Sequence, residues 1–599
     1  MNITNPYLRS LILAAAVVTF LLLVTGSAVR VGDAAQGCPD WPTCYGQWLL
    51  PEPSHLAGPQ NALYLQYAHR VLAALSLALT AAAAAWTALR SRAQTFIGGA
   101  LAAAAGLMLI EALLGGGVVA EESALLSALH MVLALASFGL LAAAVTAAFW
   151  RSEVKFSWRS PFARLARLTL LATFLLLLSG TLVTATGAGS ACAGWPLCGP
   201  ALPTNGLGWL ALAHRLVVLL AAALITAQFL AAWRGQRSQS VALPAATGAF
   251  LILLGQVWIG AVKVSRGFPA DLVGLHAASA AALWAVQVVV AAAAGLARRT
   301  ATAEAAEWAE PLSLRARARD FFLLNKPIIV ALLLVTTYAG MVVGGRGLPS
   351  LEVTLWTLLG GALAAGGSSA LNQYIDRETD RAMQRTARRP LPDGRLRPAE
   401  ALAYGLGAVL ASFYILAAAV NLLAAVLSLA GMVYYVLIYS LWLKHATVQN
   451  IVIGGGAGAI PPLVGWAAVT GSLDIPSLFL FAIIFFWTPP HFWALALVRR
   501  KDYARGNVPM LPVVRGEQET RRQILIYTLE LVALTLLMPL FSLSGTIYLV
   551  SAVALGAWLI HTAWKVYWGE GNKMAHKMYR YSSMYLAFLM LAMVLDVLF

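Results

Sequence analysis

Charged residues are scarce in this chain, and that scarcity decides its class. They make up 11% of the 599 residues, whereas apolar residues make up 60% and the mean hydropathy is +0.76. The apolar runs reach roughly 20 residues, the length that a helix needs to cross the hydrocarbon core of a bilayer. Eight such runs precede residue 300 and nine follow it. The sequence therefore predicts an all-α, polytopic membrane protein.

Acidic residues are scarcer than basic ones, which leaves a net charge of +16. This excess does not indicate a nucleic-acid partner, because the basic residues fall in alternate loops, the pattern of the positive-inside rule. The loop at 151–167 and the loop that follows Arg90 are rich in basic residues. The loops at 30–60 and 187–209 contain one basic residue between them, Arg30. We therefore predict a multi-pass protein of the cell (inner) membrane, with the N-terminus in the cytoplasm and the C-terminus outside.

Cysteine is absent from the predicted spans. All four cysteines lie in the two outer loops, as Cys38 with Cys44 and Cys192 with Cys198, and each pair closes a seven-residue C-x-x-W-P-x-C motif. A disulfide persists outside the cytoplasm, so a bridge within each pair is expected. Such a bridge either orders its long loop or takes part in a redox relay, and the sequence leaves both interpretations open.

Residues 1–297 contain an internal duplication. In each half a C-x-x-W-P-x-C loop precedes a helix that carries a His-Arg pair, and a second histidine follows 61 or 62 residues later. The pairs are His69-Arg70 and His214-Arg215, and the second histidines are His130 and His276. Two copies of a four-helix unit, about 1–150 and 160–297, explain this pattern.

The four histidines lie on the second, fourth, sixth and eighth helices of the duplication, which all enter from the outer side. Each histidine falls within about two turns of its helix start, so the four imidazoles lie at similar depth. An ionisable group inside a membrane is functional by default. Paired neutral imidazoles from facing helices suit a bis-histidine haem. A copper or zinc site and a purely structural role are the alternatives.

A second polar cluster lies at the edge of a span in the second half of the chain, in the segment NQYIDRETDRAMQRTARRPLP. Asn372, Asp376 and Asp380 are four residues apart and therefore share one face of a helix. Their hard oxygen atoms suit Mg²⁺, which commonly also binds substrate phosphates. The remaining phosphate charge would be bound by four arginines of the same segment, Arg381, Arg385, Arg388 and Arg389. The alternative is a loop whose charges are merely solvated.

The apolar pattern is interrupted by the polar, mixed-charge segment RRTATAEAAEWAEPLSLRARARD at 298–320. We predict that this segment is a cytoplasmic linker between two domains, 1–297 and 321–599. The histidines and the acidic cluster then belong to different domains.

On its duplicated loop motifs and its four histidines, the first domain resembles haem A synthase. The resemblance implies two pseudo-symmetric four-helix bundles that enclose two haem sites. It implies a permanently bound haem B ligated by His214 and His276, and a substrate haem near His69 and His130. The family oxidises a methyl group of haem O to a formyl group, which gives haem A.

One position departs from that family. Three residues before the first histidine the family often has a glutamate, whereas this chain has Gln66. Glu111 is a candidate substitute, because the equivalent position of the second half is Gln256. A buried, hydrogen-bonded acid with a structural role is the alternative.

The second domain resembles haem O synthase, the protohaem farnesyltransferase of the intramembrane prenyltransferase superfamily. The shared segments are LLNKP at 323–327, NQYIDRETD at 372–380, NIVIGGGAGAIPPLVGW at 450–466, PPHFWALAL at 489–497 and KDYARGNVPMLP at 501–512. The resemblance implies a nine-helix enzyme that transfers a farnesyl group from farnesyl diphosphate to a vinyl group of haem B, giving haem O.

Prenyl transfer adds further candidates in this domain. Charge builds on the departing diphosphate, and Mg²⁺ and basic side chains must stabilise it. Asp502 would be the acid of the superfamily's second motif, while Lys444, Arg381 and Arg385 would contact the diphosphate. The second acid that this motif commonly holds one turn away is missing here.

Haem O would be the product of the second domain and the substrate of the first, so the sequence predicts bifunctional haem A biosynthesis. Joining the two steps raises the effective concentration of the intermediate. The expected substrates are haem B, haem O and farnesyl diphosphate. Besides lipid, the expected partners are an unknown electron-transfer protein and a terminal oxidase, or its chaperone, that receives haem A. The rival interpretation is a diheme electron-transfer domain fused to a quinone-type aromatic prenyltransferase.

Overall fold

A computed structural model describes residues 5–32, 34, 37–52, 60–90, 95–121, 123–150, 154–199, 202–297, 313–541, 544–569 and 571–599. The chain divides into two compact units, Met1–Ala305 and Ala306–Phe599. Most of the predicted linker at 298–320 lies outside the described residues, and its last residues begin a helix at Leu314. Within the described ranges the regular elements are all helices, as predicted.

Eight long helices form the first unit. They are Pro6–Val31 (α1), Gln60–Arg90 (α2), Thr95–Glu121 (α3), Ala124–Phe149 (α4), Pro161–Ala185 (α5), Gly206–Gly235 (α6), Ala242–Ser265 (α7) and Ala270–Leu296 (α8). Asn5, Ser160 and Asn205 accept a hydrogen bond from a backbone N–H in the first turn, which defines the start of three of these helices. All eight are long and apolar enough to cross a membrane.

The eight helices pack as two bundles of four. Helices α1 to α4 contact one another in a ring, as do α5 to α8, and α4 packs on α8 where the bundles meet. At that contact Trp284 donates its indole N–H to the carbonyl oxygen of Leu135 at 2.6 Å. Gly139 leaves room for the indole ring. The predicted pair of four-helix bundles is therefore confirmed.

Twelve helices form the described part of the second unit. They are Leu314–Leu324 (α9), Pro327–Gly345 (α10), Leu351–Ala382 (α11), Pro398–Ala419 (α12), Leu422–Ala446 (α13), Asn450–Thr470 (α14), Ile475–Val498 (α15), Arg500–Arg505 (α16), Leu511–Val514 (α17), Glu517–Leu537 (α18), Thr546–Trp568 (α19) and Lys573–Leu598 (α20). Nine of the twelve are long, as the sequence predicts for this domain. Eight of these nine have the hydropathy of membrane spans, which brings the total in the described residues to 16.

Helix α11 is the long helix that falls outside this total. It has 32 residues, but its glycines and serines and its charged C-terminal end lower its hydropathy. It packs on α10 and α12, and α10 packs in turn on α14. The polar end of α11 is thereby held against apolar helices.

Helix α13 changes its winding in the middle. Its residues Tyr434–Leu443 form a π-helix, in which each turn holds an additional residue. Gly454 and Gly456 of the next helix lie directly against the rings of Tyr439 and Tyr434. The glycine-rich start of α14 therefore accommodates the aromatic side chains of the π-helix.

Candidate active sites

Asn372, Asp376 and Asp380 lie on the C-terminal half of α11 and are buried, each with 4% of its surface exposed. The amide nitrogen of Asn372 donates to Oδ2 of Asp376 at 2.8 Å and to Oγ of Ser440 at 3.0 Å. The four-residue spacing therefore brings the amide and the carboxylate together on one face. A buried carboxylate is costly unless it is paired, so the partners of these acids define the site.

Two of these partners are basic side chains that come from separate segments. Nζ of Lys444, just after the π-helix, lies 2.6 Å from Oδ2 of Asp376. Nη1 of Arg389, in the turn that follows α11, lies 2.7 Å from Oδ2 of Asp380. Lys444 was a predicted contact of the diphosphate, and the structure brings it to the predicted acids.

Lys326 is a third basic side chain at the site, which sequence reasoning does not single out. It lies between α9 and α10 with a left-handed backbone (φ 49°), and its Nζ donates to Oδ1 of Asn372 at 3.0 Å. Burial and the charge of Arg389 lower the pKa of Lys326 to about 7, although Asp380 and Asp376 act in the opposite direction. The sequence could have indicated Lys326, because it lies in LLNKP, one of the segments that resemble haem O synthase.

Of the arginines predicted to bind phosphate, Arg389 contacts the acids of α11. Nη1 of Arg381 pairs with the exposed Glu378 at 2.9 Å, and its Nε donates to the carbonyl oxygen of Pro392. Arg385 is exposed, and no hydrogen bond or ion pair joins it to the acids. Arg389 lies next to the acids because the turn after α11 brings it back along the helix. The predicted contacts of Arg381 and Arg385 with the diphosphate stay a prediction.

Asp502 lies on the short helix α16, close to the end of α11. A methyl group placed on Gly506 would lie 3.2 Å from Cγ2 of Thr379, so the segment that carries Asp502 packs directly on α11. The carboxylate of Asp502 lies 3.7 Å from Nη1 of Arg505. The structure thus brings the second acidic segment beside the first.

The acids of α11 fit a hard cation. Among the described residues no three His, Cys, Asp or Glu side chains are grouped closely enough to hold a metal by themselves. However, Oδ1 of Asp376 is buried without a hydrogen-bond partner. Mg²⁺ typically takes one or two carboxylates and completes its shell with water and substrate phosphates. Asp376, with Asn372 and Asp380 beside it, provides such a partial ligand set.

The four histidines of the first unit occupy equivalent positions. Each lies six to nine residues after the first residue of its helix, on α2, α4, α6 or α8. His69 and His130 lie on helices of the first bundle, and His214 and His276 lie on helices of the second. Each bundle therefore contains two of the four histidines at similar depth.

One histidine of each pair has a fixed ring nitrogen. Nδ1 of His130 lies 3.0 Å from the carbonyl oxygen of Glu111, and Nδ1 of His214 lies 2.8 Å from Oγ of Ser179. The other two histidines have no hydrogen-bond partner at Nδ1. A hydrogen bond at Nδ1 leaves Nε2 available to a metal, so these imidazoles fit the role of haem ligands.

Glu111 is buried on α3 beside the first pair. Its Oε1 accepts a hydrogen bond from Ser137 at 2.8 Å. The equivalent Gln256 on α7 donates to the carbonyl oxygen of His276 at 2.8 Å. Gln66 is also buried, and its amide oxygen has no partner. Glu111 therefore places a carboxyl group at a position that is an amide in the second bundle.

Both predicted disulfides are present. The bridges are Cys38–Cys44 and Cys192–Cys198. The arginine that follows the first histidine of each half holds the bridged loop, because Arg70 donates to the carbonyl oxygen of Cys38 at 2.9 Å and Arg215 to that of Cys192 at 2.8 Å. Each guanidinium also donates to two further carbonyls of its loop. These arginines order the two disulfide-bridged loops.

Each unit matches a known family. Residues 9–288 match the family described as cytochrome oxidase assembly protein, and residues 333–589 match the UbiA prenyltransferase family. The two matches cover the helices that carry the histidines and those that carry the acids.

One relative aligns with nearly the whole chain, and others align with a part of it. The protoheme IX farnesyltransferase of Chloroflexus aurantiacus is 37% identical over 601 residues, which cover 98% of each chain. That of a Roseiflexus species is 43% identical over 74% of this chain and 86% of its own. That of Gloeobacter violaceus is 50% identical over 48% of this chain and 94% of its own. The chain therefore belongs to the protoheme IX farnesyltransferase family, as a two-domain member in which a domain of the haem A synthase family precedes the prenyltransferase domain.

Proposed function

We propose that this chain carries out two consecutive steps of haem A synthesis. In the second domain diphosphate leaves farnesyl diphosphate, the farnesyl group bonds to a vinyl group of haem B, and water adds to the cation formed on the vinyl group. The product is haem O. The first domain oxidises a methyl group of haem O to a formyl group. The observation that carries the proposal is that one chain combines a buried acid and cation cluster with two pairs of intramembrane histidines.

The acid cluster is suited to a diphosphate. Asn372, Asp376 and Asp380 would hold Mg²⁺, which stabilises the charge that develops on the departing oxygens. Lys326 and Lys444 add positive charge from two further segments, so the cluster binds the diphosphate group without depending on solvent. These side chains are already fixed by their contacts, and little reorganisation is needed when the substrate binds.

Aromatic rings border this cluster. Tyr435 and Tyr439 stack with their ring centroids 5.8 Å apart. The carbonyl oxygen of Tyr435 accepts a hydrogen bond from the hydroxyl of Ser440, which in turn accepts one from Asn372. Loss of diphosphate leaves an allylic cation, which must be kept from water until the vinyl group reacts. The faces of these rings stabilise such a cation and exclude water from it.

In the first domain, His214 and His276 would hold a permanent haem B, and His69 and His130 would flank the substrate haem. Haem B would supply the one-electron redox chemistry of the oxidation. Ser179 and the carbonyl oxygen of Glu111 orient one imidazole in each pair. The electrons and protons released when the methyl group becomes a formyl group would leave to an electron-transfer protein and to solvent, and water would supply the formyl oxygen. Haem A would then pass to a terminal oxidase or its chaperone.

The two sites are also proposed to lie on opposite sides of the membrane. The basic loops place the acid cluster on the cytoplasmic side and the histidines near the outer side. Haem O then crosses from one domain to the other within the membrane.

The experiment is extraction of haems from membranes that express the chain, followed by mass analysis. The expected result is haem O and haem A in addition to haem B. Membranes supplied with farnesyl diphosphate that form neither product would contradict the proposal. Two permanent haems per chain, together with prenylation of an aromatic acid, would instead support the rival interpretation, which the relatives do not favour.

Arg389 and Arg381 give a matched pair of variants. We expect Arg389→Gln to lower haem O formation on the order of 100-fold, because it removes the guanidinium that pairs with buried Asp380. Arg381→Gln should remain close to the unchanged protein, since Arg381 contacts exposed Glu378 and the carbonyl oxygen of Pro392 and neither contact involves the acids of α11. The measurement is haem O formed per minute by membranes at saturating haem B. Equal losses in the two variants would contradict the assignment of Arg389, and not Arg381, to the diphosphate site.

Glu111→Gln tests the carboxyl group of the first domain. We expect haem A formation to fall on the order of 100-fold or more if this carboxyl group handles protons during oxidation, while haem O formation stays unchanged. The matched control is Glu121→Gln, which changes an exposed acid at the end of the same helix. Chromatography of the two haems gives both rates from one sample. Haem A at the unchanged level in Glu111→Gln would assign Glu111 a structural role.

A further inference from the structure

We propose that two glycines of the first domain, Gly26 and Gly180, are positioning residues that set the ring orientation of His69 and His214. Gly115 and Gly260 occupy the equivalent places opposite His130 and His276. The inference rests on the proposed ligation of haem by these histidines. Each glycine lies on an odd-numbered helix, five or six residues before the last residue of that helix. Each faces the histidine of the helix that follows it in the chain.

The closest contacts are those of the first histidine in each bundle. A methyl group placed on Gly26 would lie 2.8 Å from Cε1 of His69, and one placed on Gly180 would lie 3.2 Å from Cε1 of His214. Carbon atoms pack best at roughly 3.5–4.0 Å. Neither position therefore admits a side chain unless the imidazole moves.

The second histidine of each bundle makes the same contact at a longer distance. A methyl group on Gly115 would lie 3.5 Å from Cε1 of His130, and one on Gly260 would lie 3.5 Å from Cε1 of His276. In all four cases Cε1 is the nearest ring atom. The same edge of the imidazole thus packs on a glycine in all four cases. An alanine would fit at Gly115 and Gly260, where the distance is that of an ordinary contact.

General helix packing does not explain the pattern. Helix α3 contains six glycines, and Gly115 is the one that faces a histidine. The other five, Gly98, Gly99, Gly106, Gly116 and Gly117, meet Thr87, Trp41, Leu126 or open space. Glycine is thus frequent in this helix, but its contact with an imidazole is confined to one depth in the bundle.

The contact matters because hydrogen bonds do not orient every ring. A ligating histidine is usually oriented by a hydrogen bond at its other ring nitrogen. Nδ1 of His69 and of His276 has no such partner. Close packing on Gly26 therefore restricts rotation of the His69 ring, and packing on Gly180 adds to the hydrogen bond between His214 and Ser179.

The test compares Gly180→Ala with Gly260→Ala in the full chain. Each of these glycines faces one of the two histidines that are proposed to hold haem B. The readouts are the affinity for haem B and the spectrum of the bound haem. We expect Gly180→Ala to lose about tenfold or more in haem affinity, with a high-spin fraction in place of the low-spin spectrum. Gly260→Ala should resemble the unchanged protein. An unchanged spectrum and affinity in Gly180→Ala would overturn the inference, as would equal losses in both variants.

A second measurement separates positioning from folding. Gly180→Ala is also made in a His214→Ala background, and the Tm of all four proteins is measured without added haem. If the alanine clashes with the imidazole, it lowers Tm only when His214 is present. An equal drop in both backgrounds would show that Gly180 serves helix packing, and the inference would fail. If the unchanged protein binds no haem, the proposed function fails, while the comparison of Tm values still tests the glycine.

Discussion

Membranes that express the Asp376→Ala chain are expected to contain neither haem O nor haem A, while the first domain keeps its haem B. Asp376 accepts hydrogen bonds from both Asn372 and Lys444, and its second oxygen is buried without a partner. Its removal takes away a proposed ligand of Mg²⁺ and leaves Lys444 without a counter-charge. We expect a loss of at least about 1,000-fold in haem O formation, measured by mass analysis of extracted haems.

Glu378→Ala is the matched control for this variant. Glu378 lies on the same helix, two residues further on, but it is exposed and pairs with surface arginines. Its removal should leave haem O formation close to that of the unchanged protein. Haem O formed at the normal rate by Asp376→Ala would remove the acid cluster from the mechanism. Haem A found in that variant without added haem O would contradict the order of the two steps.

The second large effect is expected of His214→Ala, which should purify without the permanent haem. His214 is proposed to ligate iron, and a methyl group cannot replace an imidazole in that role. Haem O should still be formed, because the second domain is intact, whereas haem A should be absent. The measurement is haem content per chain together with the haems extracted from the same membranes.

Ser179→Ala provides the graded comparison. Its hydroxyl lies 2.8 Å from Nδ1 of His214, so its loss leaves the ligand in place but releases its orientation. Loss of such a partner typically weakens binding of a metal by roughly 10- to 100-fold. We therefore expect Ser179→Ala to retain haem at high haem concentration and to lose it on dilution. His214→Ala protein that purifies with a full complement of haem would refute this ligation.

The parts of the fold that follow from periodicity could be predicted from the sequence. Runs of about 20 apolar residues specify spanning helices whatever their neighbours are. The repeated loop motif and the paired histidines specify two bundles, and both are present. Likewise, the spacing of Asn372 and Asp376 specifies a shared helix face, because it depends only on the geometry of one helix.

Contacts between distant segments could not be predicted in this way. Lys326 reaches Asn372 across 46 positions, through the packing of α10 on α11. The arginines after α11 are chemically alike, and only the path of the turn selects Arg389 instead of Arg381. The contact of Gly26 with His69 depends in the same way on how two helices lie against each other.

The duplicated bundle carries a consequence for how the two halves came to differ. Glu111 and Gln256 each lie four residues before the glycine that faces the second histidine of their half. Copies of one ancestral segment keep the scaffold that both inherit, and they diverge where their tasks separate. The exchange of an acid for an amide at this depth is such a divergence. An evolutionary account of why one copy would retain its porphyrin and the other release it can therefore begin at this pair.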